Sequence, residues 1–417
     1  GDPNNLQNYR PISILSNFKS IYGNVKYYLS PKQHGFINGR STITNLSVIT
    51  HDLSVALDNK TQVDVIYVDF SKAFDSISHD LLLHKLSQFG CLDPLLQLFT
   101  SYLSNRINYV FYNGYCSYEF VSRSGVPQGS NLGPLLFNIY INDLLESITC
   151  SCLGFADDIK LYSTITSAGD IHSLQTNLDT LMNWSYSNHL ILNIAKCYLI
   201  SFTRNNNQID SSYSIGSTPL MRKNSIKDLG VIFDSKLTFN LHFQETGNAA
   251  NKMLGFIMRI SKYFNSIDAI KSLFFSYVLS KMEYASLVWY PLYMTQYMVL
   301  DKIHRKFLKY LSYKLDGIYP SRGIPMDSLL IRHNMTSLSA RRDVNCANFL
   351  VKLISNKVDC SYILSTIGFN VPRLSSRHVN TFYIPPSRTN VFHHSPSRTM
   401  CNCFNKLIVE DIFMSHR

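Results

Sequence analysis

No two cysteines stand in a C-x-x-C arrangement, and the nine present (Cys91, Cys116, Cys150, Cys152, Cys197, Cys346, Cys360, Cys401 and Cys403) are an odd number in a long chain. Their spacing argues against a disulfide framework and a standard zinc ribbon, and favours a reducing compartment. The pairing of His393 and His394 with Cys401 and Cys403 fits no usual zinc spacing either. No apolar run approaches the roughly 20 residues that cross a bilayer, and the opening GDPNNLQNYR has no signal-peptide hydrophobic region. The expectation is an intracellular protein with no membrane partner. Charge is sparse, 16% against 45% hydrophobic residues, so 417 residues can bury a sizeable core, and a disordered tail or a small disulfide knot is excluded. Length suggests two or three domains, and no internal repeat is present. Starting on Gly inside a motif, the chain reads as part of something longer.

What charge there is lies unevenly. Residues 1–244 carry 17 Lys+Arg against 18 Asp+Glu, whereas residues 245–417 carry 22 against 10. The whole basic surplus sits in the last part, which points to a polyanion partner, nucleic acid ahead of a membrane surface. A merely Lys-rich soluble surface is the plainer alternative.

The run VDVIYV at 63–68 is short, β-branched and aromatic, and reads as a buried strand closed by Asp69. A helix is expected over 79–89, with Gly90 just past its end. Residues 107–122 form two aromatic runs around Asn113-Gly114, a hairpin signal. A polar Gly/Pro loop at 123–133 opens a helix with Pro134 near its first turn. In CLGFADDIKLY, 152–162, two short apolar strands flank a pair of aspartates. Asp170 is expected to cap the next helix, and strands are expected at 197–203 and 229–234. A sheet with helices on one face results. After about 245 helical patterns dominate, with Ser266 or Asp268 as caps, so a domain boundary is expected near 240–250. Residues 370–400 lack periodicity and are expected to wander over the surface.

Two adjacent carboxylates between apolar strands are costly if buried unpaired, so a cation is expected at Asp157 and Asp158. Asp69, ending another strand, would share their site if the strands are adjacent. Magnesium takes oxygen ligands from a few carboxylates and leaves room for substrate phosphates. The competing view is that each Asp serves its own turn or helix.

Five blocks occur in order: Asn8-Tyr-Arg-Pro-Ile-Ser, Gln33-His-Gly-Phe with Arg40-Ser-Thr, Asp69-Phe-Ser-Lys-Ala-Phe-Asp75, Ser124-Gly-Val-Pro-Gln-Gly-Ser130 with Leu132-Gly-Pro-Leu, and Phe155-Ala-Asp-Asp158. The set resembles the reverse transcriptase domain of non-LTR, LINE-like retrotransposons, particularly jockey and CR1-like elements. The likeness runs on through Trp184, Asn193, Lys196 and Leu229-Gly-Val-Ile-Phe-Asp234 with His242.

That resemblance implies an α+β right-hand polymerase: partial fingers over 1–60, a palm of antiparallel, ferredoxin-like sheet and helices with a primer grip over 61–245, a helical thumb over 246–330, and a C-terminal extension over 331–417. It implies RNA-directed DNA synthesis by two-metal nucleotidyl transfer, with two Mg²⁺ ions (Mn²⁺ an alternative) held by Asp69, Asp157 and Asp158. Phe74 matches the ring that blocks a ribose 2′-hydroxyl, with core packing as its alternative, and Phe70 stands beside the first carboxylate in the same nucleotide-binding motif. Gln128 and Gly129 match the loop against the templating base and incoming nucleotide. Arg10 matches an arginine meeting the triphosphate, Arg40 the same, a contact to the template backbone or a structural pair, and Lys196 a proton donor to pyrophosphate or a solvated lysine.

Residues 229–243 resemble the primer grip. In the helix of 301–311 an apolar face alternates with Lys302, Arg305, Lys306 and Lys309, which either track phosphates or form a solvated face. Tyr284, Trp289, Tyr290 and Tyr293 could stack bases, but their spacing favours core packing. RNA template, DNA primer, dNTPs and RNA/DNA hybrid are the implied partners, in the nucleus or a cytoplasmic ribonucleoprotein. Because the stretch between Leu15 and Gln33 is shorter than the family pattern, a non-catalytic nucleic-acid-binding remnant is the second reading. A group II intron-like maturase fits the 229–234 block less well.

Overall fold

The computed structural model describes residues 28–205, 208–264, 266–371 and 380–407. These fall into two compact units: the first holds residues up to 41, 62–201 and the stretch ending at 223, and the second holds 42–61, 202–205 and everything from 224 on.

A five-stranded sheet organises the first unit. Strand β1 (Gln62–Val68) is buried along almost its whole length, as expected of a central strand covered on both faces. Helix α1 (His79–Gln88) starts at Ser78, whose hydroxyl accepts from the Leu81 amide, and ends before Gly90, which takes the left-handed φ of +83°. Residues 106–122 form the expected hairpin: Asn113 and Gly114 both have positive φ, and Tyr112 pairs with Tyr115. Helix α2 (Gly133–Ser147) carries Pro134 in its first turn. Strands β2 (Ser151–Phe155) and β3 (Asp158–Ile165) follow, then helix α3 (Ala168–Ser187), β4 (Tyr198–Phe202) and β5 (Met221–Arg222). The strand order is β5-β4-β1-β3-β2, with β3 antiparallel to both neighbours. Beneath the sheet, Ile66, Val68, Leu136, Phe137, Tyr140, Leu161, Leu174 and Leu178 make one continuous core. Asp170 does not itself cap α3. Ser167 holds that position, and Asp170 sits three residues on, accepting from the Ser167 amide at 2.8 Å in a capping box.

The second unit is mainly helical, and the boundary between units falls at Asn224 rather than near 240–250. The helix Thr42–Asp58, expected among the fingers, belongs here. Its Asp58 carboxylate accepts from the Thr389 amide at 2.7 Å and hydroxyl at 2.8 Å, and His51 Nδ1 lies 3.0 Å from Ser397 Oγ. An antiparallel ribbon pairs Ser225–Asp228 with Val231–Asp234. Four longer helices follow: α4 (Asn240–Ile260), α5 (Met294–Asp316), α6 (Leu338–Ile354) and α7 (Pro396–Lys406). Trp289 is fully buried, edge-on to His242 and Phe243 at 4.7 and 5.0 Å, so it is a core residue. Tyr290 is also buried and stacks on His394.

Helix α7 corrects the end of the 370–400 stretch, expected to be irregular surface chain: residues 384–389 are irregular, 372–379 lie outside the described residues, and the buried helix begins at Pro396. Ser397, Arg398 and Thr399 are buried along with Met400, Cys401, Cys403 and Phe404, and buried polar side chains blur an apolar period. Among the described residues, no helix is long and apolar enough to cross a membrane.

Candidate active site

Strand pairing brings the carboxylates together. Val68 lies opposite Ile159 in the β1–β3 ladder, so Asp69, one residue on, falls level with Asp158 at the start of β3. Phe155 and Asp158 close the β2–β3 hairpin, which leaves Ala156 and Asp157 as its two turn residues. Paired positions in such a ladder are about 5 Å apart, within reach of one ion or substrate group. Asp69 and Asp157 are partly buried and Asp158 is exposed.

Asp69 is fixed by the backbone that follows it. Its carbonyl accepts from the Asn193 amide at 2.8 Å, and the Ser71 amide donates to the Ile191 carbonyl at 2.8 Å. A short helical turn, Ile194–Lys196, then places Lys196 Nζ 3.4 Å from Asp69 Oδ2. That oxygen is buried and makes no hydrogen bond. A buried carboxylate oxygen whose neighbour is only an ionic contact suits a metal cation. Burial pushes the adjacent Cys197 thiol up, so it stays protonated beside Asp69 and offers no thiolate. Among the described residues no three His, Cys, Asp or Glu side chains gather into a metal-holding group. Two carboxylates with substrate oxygens remain a fitting shell for magnesium, and His393, His394, Cys401 and Cys403 are not gathered into such a group either.

The loop 124–130 is tied to the segment after Asp69. Ser124 Oγ donates to the Asp75 carbonyl at 2.8 Å, the Gly125 amide to Ile77 at 2.8 Å, and the Val126 amide to Phe74 at 2.9 Å. Gln128 Nε2 donates to Asp75 Oδ1 at 2.8 Å, and Gly129 is exposed with φ of +86°. Arg106 Nη2 reaches the carbonyls of Ser124 and Gly125 at 3.0 and 2.8 Å. Phe74 stacks on Phe137 at 4.4 Å and meets Phe36 edge-on. Phe70 does not face the carboxylates. It is 3% exposed and packs on Trp184, because successive side chains on extended backbone point to opposite faces.

The other candidates divide. Arg10 and its block lie outside the described residues. Arg40 Nη1 donates to the carbonyls of Ser30 and Gln33 at 3.1 and 2.7 Å. In the second unit, Lys302 is exposed. Arg305, Lys306 and Lys309 donate to Ile324 O, Asn251 Oδ1 and Ser321 O at 2.6, 3.0 and 3.1 Å.

Two residues quoted in the sequence blocks without a role emerge here, Asp75 and Gln33. Gln33 is 1% exposed, and its Oε1 accepts from the amides of Gly35 and Ala156 at 2.8 and 2.9 Å. Its Nε2 donates to the Ala156 carbonyl at 3.3 Å.

A family model described as "Reverse transcriptase (RNA-dependent DNA polymerase)" matches residues 2–233. The chain is 29% identical over 261 residues to a probable RNA-directed DNA polymerase from transposon BS of Drosophila melanogaster, covering 58% of this chain and 29% of that protein. It is 28% identical over 261 residues to the RNA-directed DNA polymerase from mobile element jockey of Drosophila funebris, covering 58% and 28%. It therefore spans under a third of these curated relatives. Among solved structures, apo telomerase from Candida tropicalis aligns with a TM-score of 0.40 at 10% identity, over 71% of this chain and 49% of that one. With more than half of its length matched by the family model, the chain belongs to the reverse transcriptase (RNA-dependent DNA polymerase) family.

Proposed function

We propose that this chain is the polymerase part of a non-LTR, LINE-like retrotransposon protein, extending a DNA primer on an RNA template. The observation that carries the reading is the β1–β3 register, which sets Asp69 level with the turn bearing Asp157 and Asp158. The names of the similar Drosophila proteins, RNA-directed DNA polymerases of transposons and mobile elements, support it. In this reading residues 1–60 supply partial fingers, 61–245 the palm with the primer grip at 229–243, 246–330 the helical thumb and 331–417 a C-terminal extension.

Asp69 and Asp157 would hold two Mg²⁺ ions, with Asp158 assisting. Bound there, the ions would activate the primer 3′-hydroxyl and stabilise charge on the leaving pyrophosphate. Gln128, held by Asp75, and Gly129 would lie against the templating base and incoming dNTP, where the glycine admits close backbone approach. The Phe74 ring, backed by Phe137, would exclude a 2′-hydroxyl. Lys196, 3.4 Å from Asp69, would give a proton to pyrophosphate. Lys302 and its basic neighbours on α5 would hold the RNA/DNA hybrid by its phosphates, independently of sequence. Synthesis from a nicked chromosomal end would place the protein in the nucleus.

The test is primer extension with oligo(dT)-primed RNA, dNTPs and Mg²⁺, beside an Asp157→Asn variant. Wild-type extension that falls at least about 10²–10³-fold in the variant supports the reading, since that is the scale lost with one stabiliser of developing charge. A folded wild-type protein that binds hybrid but never extends it would overturn the reading in favour of a nucleic-acid-binding remnant.

A further inference from the structure

The turn that carries Asp157 is conformationally awkward. Ala156, its first central residue, has φ of +56°, at a position glycine usually fills in two-residue hairpins. An L-residue there costs about 1–2 kcal/mol and persists only where its surroundings over-determine it. The surroundings in question are the Gln33 carboxamide, which engages both the N–H and the C=O of Ala156.

The segment bearing Gln33 is itself held on several sides. It adds to the outer edge of β2: the His34 amide donates to the Gly154 carbonyl at 2.9 Å, and the Gly154 amide to the Lys32 carbonyl at 2.9 Å. Asn138 Nδ2 donates to the Gly35 carbonyl at 2.9 Å, and Arg40 to that of Gln33 at 2.7 Å. A Cβ on Gly35 would stand 2.3 Å from the Ala156 nitrogen, so only glycine lets the segment press against the turn.

We propose that Gln33 is a positioning residue for the polymerase carboxylates: its side-chain amide locks the backbone of Ala156 and so aims Asp157 and Asp158 at the site shared with Asp69. The proposal rests on the polymerase reading. Without the carboxamide, a buried N–H and C=O next to the metal-binding residue lose their partners, and the turn relaxes toward conformations an alanine prefers. Gln33 touches neither substrate nor ion, so its effect is felt through the geometry it imposes.

Gln33→Met keeps the length and removes both hydrogen-bonding functions. Gln33→Glu keeps an acceptor for the two amides but sets a carboxylate oxygen against the Ala156 carbonyl. In the intact chain, hydrogen exchange read by mass spectrometry should quicken at least about ten-fold in peptides covering 154–160 of the Met variant, with peptides of α2 and α6 unchanged. In primer extension, the Mg²⁺ concentration giving half-maximal rate should rise about 10–100-fold, the usual cost of losing a residue that orients a metal ligand, with KM for the hybrid unchanged. The Glu variant should fall between wild type and Met in both readouts. Unchanged exchange at 154–160, or an equal Mg²⁺ dependence, overturns the proposal. So does faster exchange throughout the first unit, which would make Gln33 a folding residue. If the wild type extends no primer, the polymerase reading fails, while exchange at 154–160 still reports whether Gln33 locks the turn.

Discussion

Phe74 packs in the core and is proposed to guard the sugar, and one substitution separates the two. Its ring stacks on Phe137 at 4.4 Å and 14°, as a core residue would, yet it follows Asp69 by five positions and its carbonyl receives the Val126 amide of the 124–130 loop. Phe74→Val should cost about 1–2 kcal/mol of stability through lost ring contact, read as a lower urea midpoint. If the ring also guards the sugar, the same variant should lower the preference for dNTP over rNTP by about 10–200-fold, the range that steric exclusion of one small group supplies. The measurement is kcat/KM for both nucleotides. A stability loss with unaltered discrimination would leave Phe74 as core alone.

Glycines at two loops separate backbone conformation from packing. Gly125 has φ of +78°, and a Cβ there would meet the Asp75 Cα at 2.6 Å and carbonyl oxygen at 2.7 Å. Gly114, at the hairpin tip, has φ of +85° with nothing within 4 Å. Alanine at either should cost the left-handed term of about 1–2 kcal/mol. Only Gly125→Ala should also push the loop off Asp75, releasing Gln128 and slowing primer extension, while Gly114→Ala should extend at the wild-type rate. Equal activity in the two variants would detach the loop from catalysis. These elements also show what could be read beforehand. A buried central strand shows as a short β-branched and aromatic run, and Asn-Gly or paired aspartates advertise a turn, so β1, the 106–122 hairpin and the β2–β3 turn were legible. Gln33 was not, because it bonds backbone 123 residues away and leaves no complementary side chain to notice. The packing of Thr42–Asp58 against the 389–397 stretch is hidden for the same reason of distance, and α7 because its buried face includes Ser397, Arg398 and Thr399.

On the scale of the whole molecule, the two units should respond differently to acid. Burial pushes His242, His304 and His394 of the second unit down to about 4, with nearby Lys227 adding for His242, Arg341 and Arg342 for His304, and chiefly His393 for His394. Burial also lowers His51, His333 and His393, all in that unit. A histidine held below its unfolded value near 6.5 binds a proton more readily after unfolding. Its stabilising preference for the neutral form is therefore intact above pH 6.5, declines as pH falls from 6.5 to about 4, and changes no further below that. Each such group can contribute up to about 1.4 kcal/mol per pH unit in that window. The chain's two tryptophans report the units separately: Trp184 lies in the first and Trp289, edge-on to His242, in the second. With Trp184→Phe as the variant that reports Trp289, the urea midpoint should drop steeply between pH 6.5 and 4.5. With Trp289→Phe as the variant that reports Trp184, it should fall much less over the same range. A midpoint for Trp289 that stays level to pH 4.5 would mean that these histidines protonate in the folded unit, and that their burial is looser than the packing of His242 on Trp289 and of His304 on the Phe274 ring requires.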